Sequence, residues 1–235
     1  VSGVLIAATY NVHGAIGSDG RRDPTRTAHV IRALGADVVA LQEVDSASGI
    51  HSPSLQMHEL AAAGDYLAIP GPTILHDDRS YGNVLLTRLP VDGVHRIDLS
   101  RPGREPRGAI DARLRAANGQ LLRCITTHLG LSAAERRHQL ATLLPELAED
   151  WGLPAILMGD LNEWFPLSRA SRAISRVFGA GPLRRSFPAR FPLLPLDRVW
   201  TYPRHLLLEV HALRTPLARR ASDHLPLVAR LRLGC

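Results

Sequence analysis

Four short apolar runs, at residues 4–10, 38–41, 121–127 and 155–158, each give way almost at once to polar side chains. Runs this short read as buried strands rather than as helices, that at 121–127 carrying Arg123, Thr126 and Thr127 among its apolar residues. The residues that close them are Asn11, Glu43, His128 and Asp160, the last followed closely by Asn162. A fifth run, 225–233, is preceded by Ser222-Asp223-His224. Strand ends hold side chains at the rim of a sheet, so a fold that aligns these ends assembles one composite polar site.

The remaining signals limit how such strands are connected. Asp23-Pro24 supplies an N-cap and a first-turn proline for a helix whose apolar face is Ala28, Ile31 and Leu34, with Gly35 as its stop. A second helix is expected over about 54–63. A third is expected from Ser132 to about 150, with Glu135 completing a capping box. Asn118-Gly119 is a hairpin turn between strands 109–116 and 121–127. Further strands are expected at 83–87, 94–99, 198–202 and 206–212. Strands outnumber helices, the hairpin argues against an all-parallel sheet, and no linker or repeat divides the chain. The expectation is one α/β domain over 1–235: two mixed β-sheets packed face to face with helices outside, a four-layer α/β/β/α sandwich.

Composition removes several chemistries. All 28 basic residues are arginine, which excludes P-loop and Schiff-base lysines. The net charge of +6 favours anionic partners modestly. Cys124 sits in an apolar run and reads as a buried thiol, while Cys235 is the last residue; neither spacing suits a disulfide framework or zinc. No run approaches the ~18–20 apolar residues of a membrane span, and no leader pattern opens the chain. A monomer in the cytoplasm is the expectation.

Taken singly, each strand-end residue has an ordinary structural role: Asn11 in a turn, Glu43 on a solvated strand end, His128 as a hydrogen-bonder, Asp160 and Asn162 as turn caps. Together they supply hard oxygen ligands for Mg²⁺ and imidazoles for proton transfer, the needs of phosphoryl chemistry. The segments Thr9-Tyr10-Asn11-Val12-His13-Gly14, Leu41-Gln42-Glu43, Tyr81-Gly82-Asn83, Glu105-Pro106-Arg107-Gly108, Thr127-His128-Leu129, Gly159-Asp160-Leu161-Asn162, Leu196-Asp197-Arg198-Val199 and Ser222-Asp223-His224 resemble, in order, the motifs of the endonuclease/exonuclease/phosphatase superfamily.

That resemblance implies a Mg²⁺-dependent phosphodiester hydrolase, with Mn²⁺ as an alternative metal. It implies Glu43, Asn11 and Asp223 as metal ligands, and Asp160 and Asn162 as the pair holding the nucleophilic water and a phosphate oxygen. His224 would be the catalytic histidine, oriented by Asp197. His128 would contact the phosphate and protonate a leaving oxygen. Asn83 would orient His128 and, with Arg107, bind phosphate. Either the His224/Asp197 pair or Asp160 would activate water. His13 departs from members that carry an acidic residue there, and is expected to hydrogen-bond locally.

Substrate identity is left to the segment 164–204, which holds seven of the eleven aromatic residues and eight arginines. Arg169, Arg172 and Arg176 form one stripe of an expected helix and Ala170, Ala173, Ile174, Val177 and Phe178 the opposite one. Such a segment suits nucleic acid, anionic phospholipid, or simple packing on the sheet. A nuclease-like activity is the first expectation; a phospholipid or inositol-phosphate hydrolase at a membrane surface is the alternative.

Overall fold

The computed structural model of the chain describes residues 3–47, 55–76, 79–148 and 152–234. Eleven strands occur among them: β1 (Val4–Asn11), β2 (Val38–Ala47), β3 (Leu67–His76), β4 (Arg79–Thr87), β5 (Val91–Asp98), β6 (Gly108–Arg115), β7 (Leu121–His128), β8 (Ala155–Asp160), β9 (Asp197–Tyr202), β10 (Leu207–Ala212) and β11 (Leu227–Arg232). The helices are α1 (Pro24–Ala33), α2 (Leu55–Ala62), α3 (Ala133–Ala148), α4 (Arg169–Phe178) and α5 (Pro216–Ala221). The strands form a six-stranded sheet, ordered β10-β11-β1-β2-β4-β3, and a five-stranded sheet, ordered β5-β6-β7-β8-β9. Both are mixed: β1/β2 and β7/β8 are parallel, and the other pairs are antiparallel.

Strand alternation distributes the apolar residues among three layers. Leu5 and Ala7 of β1 face inward with Ile110, Leu122, Cys124, Ile156 and Met158 of the other sheet, so one core lies between the sheets. Ala8 and Tyr10 face outward and pack with Val30, Ile31 and Leu60 under α1 and α2. On the far side, Ile125 and Leu157 meet Leu140 and Leu143 of α3 and Ile174 and Phe178 of α4. The expected four-layer sandwich is therefore present.

Local chemistry ends the helices where the sequence indicates. The Asp23 side chain accepts the Arg26 N–H at the start of α1, and Gly35, just past its end, has φ +57°. At α3, Ser132 Oγ accepts the Glu135 N–H while Glu135 Oε2 accepts the Ser132 N–H, a complete capping box. Ser54, Glu149 and Asp150, where two expected helix ends fall, lie outside the described residues, as does Cys235. Cys124 is fully buried, as expected, and burial pushes its thiol pKa up.

Several elements depart from expectation, among them α5, for which no helix was expected, and β2, which runs on to Ala47. β3 is a strand despite Pro70 and Pro72; it lies at the sheet edge, where a missing N–H costs no ladder bond on the open side. β4 and β5 begin earlier than the apolar residues that mark them. The Arg-rich helix α4 does form, but its apolar face is spent internally: Ala170, Ile174 and Phe178 are buried in the layer beneath α3, while Arg169, Arg172 and Arg176 are exposed. No helix among the described residues is long and apolar enough to cross a membrane.

Candidate active site

Strand register sets the site. In the five-stranded sheet His128 of β7 pairs with Asp160 of β8, and Asp160 pairs with Asp197 of β9, giving one row of three polar residues. In the facing sheet Asn11 of β1 pairs with Gln42 of β2. Just below these ends, Gln42 Nε2 donates to Thr9 Oγ1 at 3.2 Å and lies 3.4 Å from Thr126 Oγ1, a buried polar tie between the sheets. The two rims are thereby held face to face, and Asn11 Nδ2 spans them to reach Asp160 Oδ2 at 3.0 Å.

His224 and Asp197 form the most buried pair. His224 Nδ1 lies 2.8 Å from Asp197 Oδ2, and Asp197 is wholly inaccessible. Ser222 Oγ accepts the His224 N–H and donates to the Asn11 carbonyl, fixing the turn that carries the histidine. The Phe187 ring covers the imidazole at 4.9 Å between centroids. Burial favours the neutral ring, but the Asp197 and Asp160 carboxylates outweigh it and push His224 up to about 10. Its Nε2 points away from Asp197 and lies 3.7 Å from Asp160 Oδ2.

Asp160 and Asn162 occupy a turn with its own steric demands. Gly159 has φ +152°, and a Cβ there would overlap the Thr127 carbonyl oxygen. Asn162 has φ +49°, in the left-handed region, and its N–H is accepted by Asp160 Oδ1 at 2.8 Å. The Asn162 amide donates to the Leu129 carbonyl at 2.9 Å, which orients its nitrogen toward His128 Nε2 at 3.0 Å. His128 Nε2 is then the acceptor, placing the ring proton on Nδ1. Burial pulls His128 down to about 4, so the ring is neutral at pH 7 despite Asp160 at 3.6 Å.

Glu43 sits where the β2–β4 register shifts between Leu41 and Val44, with φ +57°. A bulge with a left-handed non-glycine residue re-aims a side chain at some conformational cost, a pattern concentrated at functional sites. Its carboxylate accepts from Asn11 Nδ2 at 2.8 Å and from the Tyr81 hydroxyl. Burial, and then the Glu43 charge, push the Tyr81 pKa up, so the phenol stays protonated as a donor. Both partners of Glu43 are neutral and its side chain is 21% exposed. A hard cation therefore suits this carboxylate, with the buried Asp160 close by through the shared Asn11 amide. A buried cluster of Asp160, Asp197 and His224 likewise has ligand atoms within 4.8 Å of one another. There, however, Asp197 is already committed to His224 Nδ1, so Glu43 offers the better seat.

The structure brings together Asn11, Glu43, His128, Asp160, Asn162, Asp197 and His224. Asp223 stands at the rim, partly exposed, 3.3 Å from Ser222 Oγ and 3.7 Å from His13 Nδ1. His13 Nδ1 is also 3.2 Å from the Ile16 carbonyl, the local contact expected of it. Asn11 Oδ1 accepts the His13 N–H, so in this arrangement Asn11 acts through its NH₂ as a bridge between carboxylates. Asn83 donates to the Gly108 carbonyl, and the partner that orients His128 is Asn162. Arg107 is no solvated strand charge: it is buried and its guanidinium is clasped by both Glu105 oxygens at 2.7 and 3.1 Å. Tyr81 joins the site as a residue to which the sequence assigned no role; its place beside Gly82-Asn83 is the only signal that pointed to it.

The profile of the Endonuclease/Exonuclease/phosphatase family matches residues 8–224. The uncharacterized protein YbhP of Escherichia coli is 30% identical over 246 residues, covering 96% of this chain and 95% of its own. The structure of an endonuclease/exonuclease/phosphatase from Beutenbergia cavernae superposes with a TM-score of 0.79 at 26% identity, over 98% of this chain and 72% of that one. D. rerio TDP2, solved with a single-strand DNA product, superposes at 0.71 with 19% identity, over 98% and 99%. The chain belongs to the endonuclease/exonuclease/phosphatase family, and its two-sheet sandwich is that of its structural neighbours.

Proposed function

We propose that this family member is a divalent-metal-dependent phosphodiester hydrolase that uses Mg²⁺, with Mn²⁺ as a substitute, and attacks phosphorus with water. The observation that carries the reading is the buried Asp197–His224 pair at 2.8 Å, with the free edge of its imidazole 3.7 Å from Asp160. Glu43, supported by Asp223 and the Asn11 amide, would hold the metal, whose chemistry is to polarise a phosphoryl oxygen and offset transition-state charge.

The remaining steps belong to the chain's own residues. His224 carries its proton at neutral pH, so its Nε2–H is a donor for a phosphoryl oxygen gaining charge, held in place by Asp197. Asp160 is then the group with a free lone pair beside that position, and it takes the proton of the attacking water. Asn162 fixes Asp160 through its backbone and His128 through its amide. An anionic phosphate arriving beside His128 raises that ring's proton affinity, so the proton that Asp160 takes from water would pass to His128 Nε2, 3.6 Å away, and from there to the leaving oxygen. Arg107, buried and paired with Glu105, and Asn83, bonded to the Gly108 carbonyl, are the further groups proposed to meet phosphate, Arg107 by exchanging Glu105 for it.

The test is turnover of bis-p-nitrophenyl phosphate. Glu43→Ala and His224→Ala should each lower it by about 10²–10⁴, and EDTA should abolish it. Unchanged turnover in both variants would sink the proposal. Faster release from mono- than bis-nitrophenyl phosphate would replace diester with monoester hydrolysis.

A further inference from the structure

Of the seven large hydrophobic side chains more than half exposed among the described residues, six lie on three loops: Leu131, Trp164, Phe165, Leu167, Phe191 and Leu193. The seventh, Leu67, lies on β3. All three loops adjoin strand ends that carry the site: two leave β7 and β8, and the third leads into β9. Leu131 follows His128 of β7 by three residues, and Trp164 follows Asn162 by two. Phe191 and Leu193 belong to the loop whose Phe187 covers His224 and whose Ala189 N–H bonds the Asp223 carbonyl.

A buried ionic clasp that the chemistry does not use ties the loops together. Arg136 donates to Glu163 Oε2 at 3.2 Å and to the Gly130 and Leu131 carbonyls. Glu163 Oε1 accepts the Phe165 N–H at 3.0 Å. Arg198 donates to the Glu163 and Pro195 carbonyls. All three residues are at most 5% exposed. Burying three ions is costly; here Arg136 and Glu163 form an ion pair and Arg198 is held by carbonyl oxygens, so that the bases of the loops are tied to one another. Loops held this firmly in water with leucine and tryptophan at their tips are shaped for contact with something apolar.

We propose that this crown docks the mouth of the site onto an anionic phospholipid bilayer, so that the phosphodiesters it meets are those of lipid headgroups. The inference rests on the hydrolase reading for its chemistry but not for its contact. Half of the crown is leucine, which inserts among acyl chains but does not stack on bases. Exposed Arg169 and Arg172 follow Leu167 in the chain and exposed Arg190 precedes Phe191, so positive charge flanks the apolar tips along the sequence, a combination that couples insertion to attraction by anionic headgroups. The same arginine border disfavours a second copy of the chain, since two crowns face to face would oppose like charges. Helix α4 contributes only its arginines, because its apolar face is already covered.

The test is vesicle flotation of the full chain in EDTA, so that no hydrolysis enters. Vesicles of phosphatidylcholine alone are compared with vesicles containing phosphatidylglycerol. The wild type should float with the anionic vesicles. Trp164→Ser/Phe165→Ser should lower partitioning by about a hundredfold, from withdrawing two large apolar side chains. Leu131→Ser/Leu193→Ser is a second variant on other loops, with melting temperature reporting folding of both. Absence of flotation, or equal flotation of wild type and both variants, would overturn the proposal. Single-strand DNA binding lost in the variants without vesicle binding would reassign the crown to base stacking. A dimer lost in the variants without vesicle binding would reassign it to self-association. Turnover of bis-p-nitrophenyl phosphate by the same preparation reports separately on the hydrolase.

Discussion

Replacing Asp197 with Asn tests the electrostatic core of the site. The carboxylate is wholly buried and its Oδ2 receives His224 Nδ1 at 2.8 Å. The folded protein raises the His224 pKa from 6.5 to about 10: burial opposes the rise, and the Asp197 and Asp160 charges exceed it. A raised folded-state pKa stabilises the fold fully below the unfolded value, and that contribution disappears as pH rises through about 10. At 1.36 kcal/mol per pKa unit the rise corresponds to an upper limit of about 4 kcal/mol at pH 7. Asparagine keeps the shape but removes the charge and turns an NH₂ or a neutral oxygen toward Nδ1, so most of that contribution is lost. Urea denaturation should therefore show the variant less stable by a few kcal/mol at pH 6, with the gap closing toward pH 10. Turnover of a diester should fall by about 10²–10⁴, because the imidazole loses both its proton and its orientation. A stability gap of the same size at pH 6 and pH 10 would refute the charge argument.

Other expectations follow from single contacts. Tyr81→Phe removes the hydroxyl donated to Glu43; the Mg²⁺ concentration for half-maximal turnover should shift by up to about tenfold, with turnover at saturating Mg²⁺ nearly unchanged. Ser132→Ala breaks one arm of the α3 capping box and should lower stability by about 1 kcal/mol in urea titrations without affecting turnover. Gly159→Ala places a methyl group against the Thr127 carbonyl oxygen and should lower the melting temperature markedly, since neither backbone can yield inside paired strands.

What the sequence revealed and what it concealed divide along physical lines. Apolar runs closing on Asn11, Glu43, His128 and Asp160 were legible because buried strands are uniform inside and polar only at their ends. The capping signals of α1 and α3 were equally legible, since a helix end is satisfied by residues next to it in the chain. β3 was not expected: Pro70 and Pro72 interrupt its run, and its edge position is what accommodates them. The Asn162–His128 contact joins residues 34 apart, and the clasp of Arg136, Glu163 and Arg198 spans a similar range; no local pattern encodes such pairs. The left-handed backbone of Glu43 is a product of the bulge opposite β4, invisible until the strands are paired. The arginine stripe of α4 was legible as a helix face, but sequence periodicity alone does not reveal that the opposite face is already covered.

On the proposed mechanism the converging strand ends form one metal-dependent hydrolytic site seated on Glu43. Its most direct test is diester turnover of EDTA-treated protein titrated with Mg²⁺, wild type beside Glu43→Gln. Turnover should be absent without metal and recover saturably in the wild type, with the curve for the variant displaced to concentrations at least about tenfold higher, reflecting loss of a charged ligand. Full turnover by the EDTA-treated wild type, or superimposable curves for the two proteins, would contradict that mechanism.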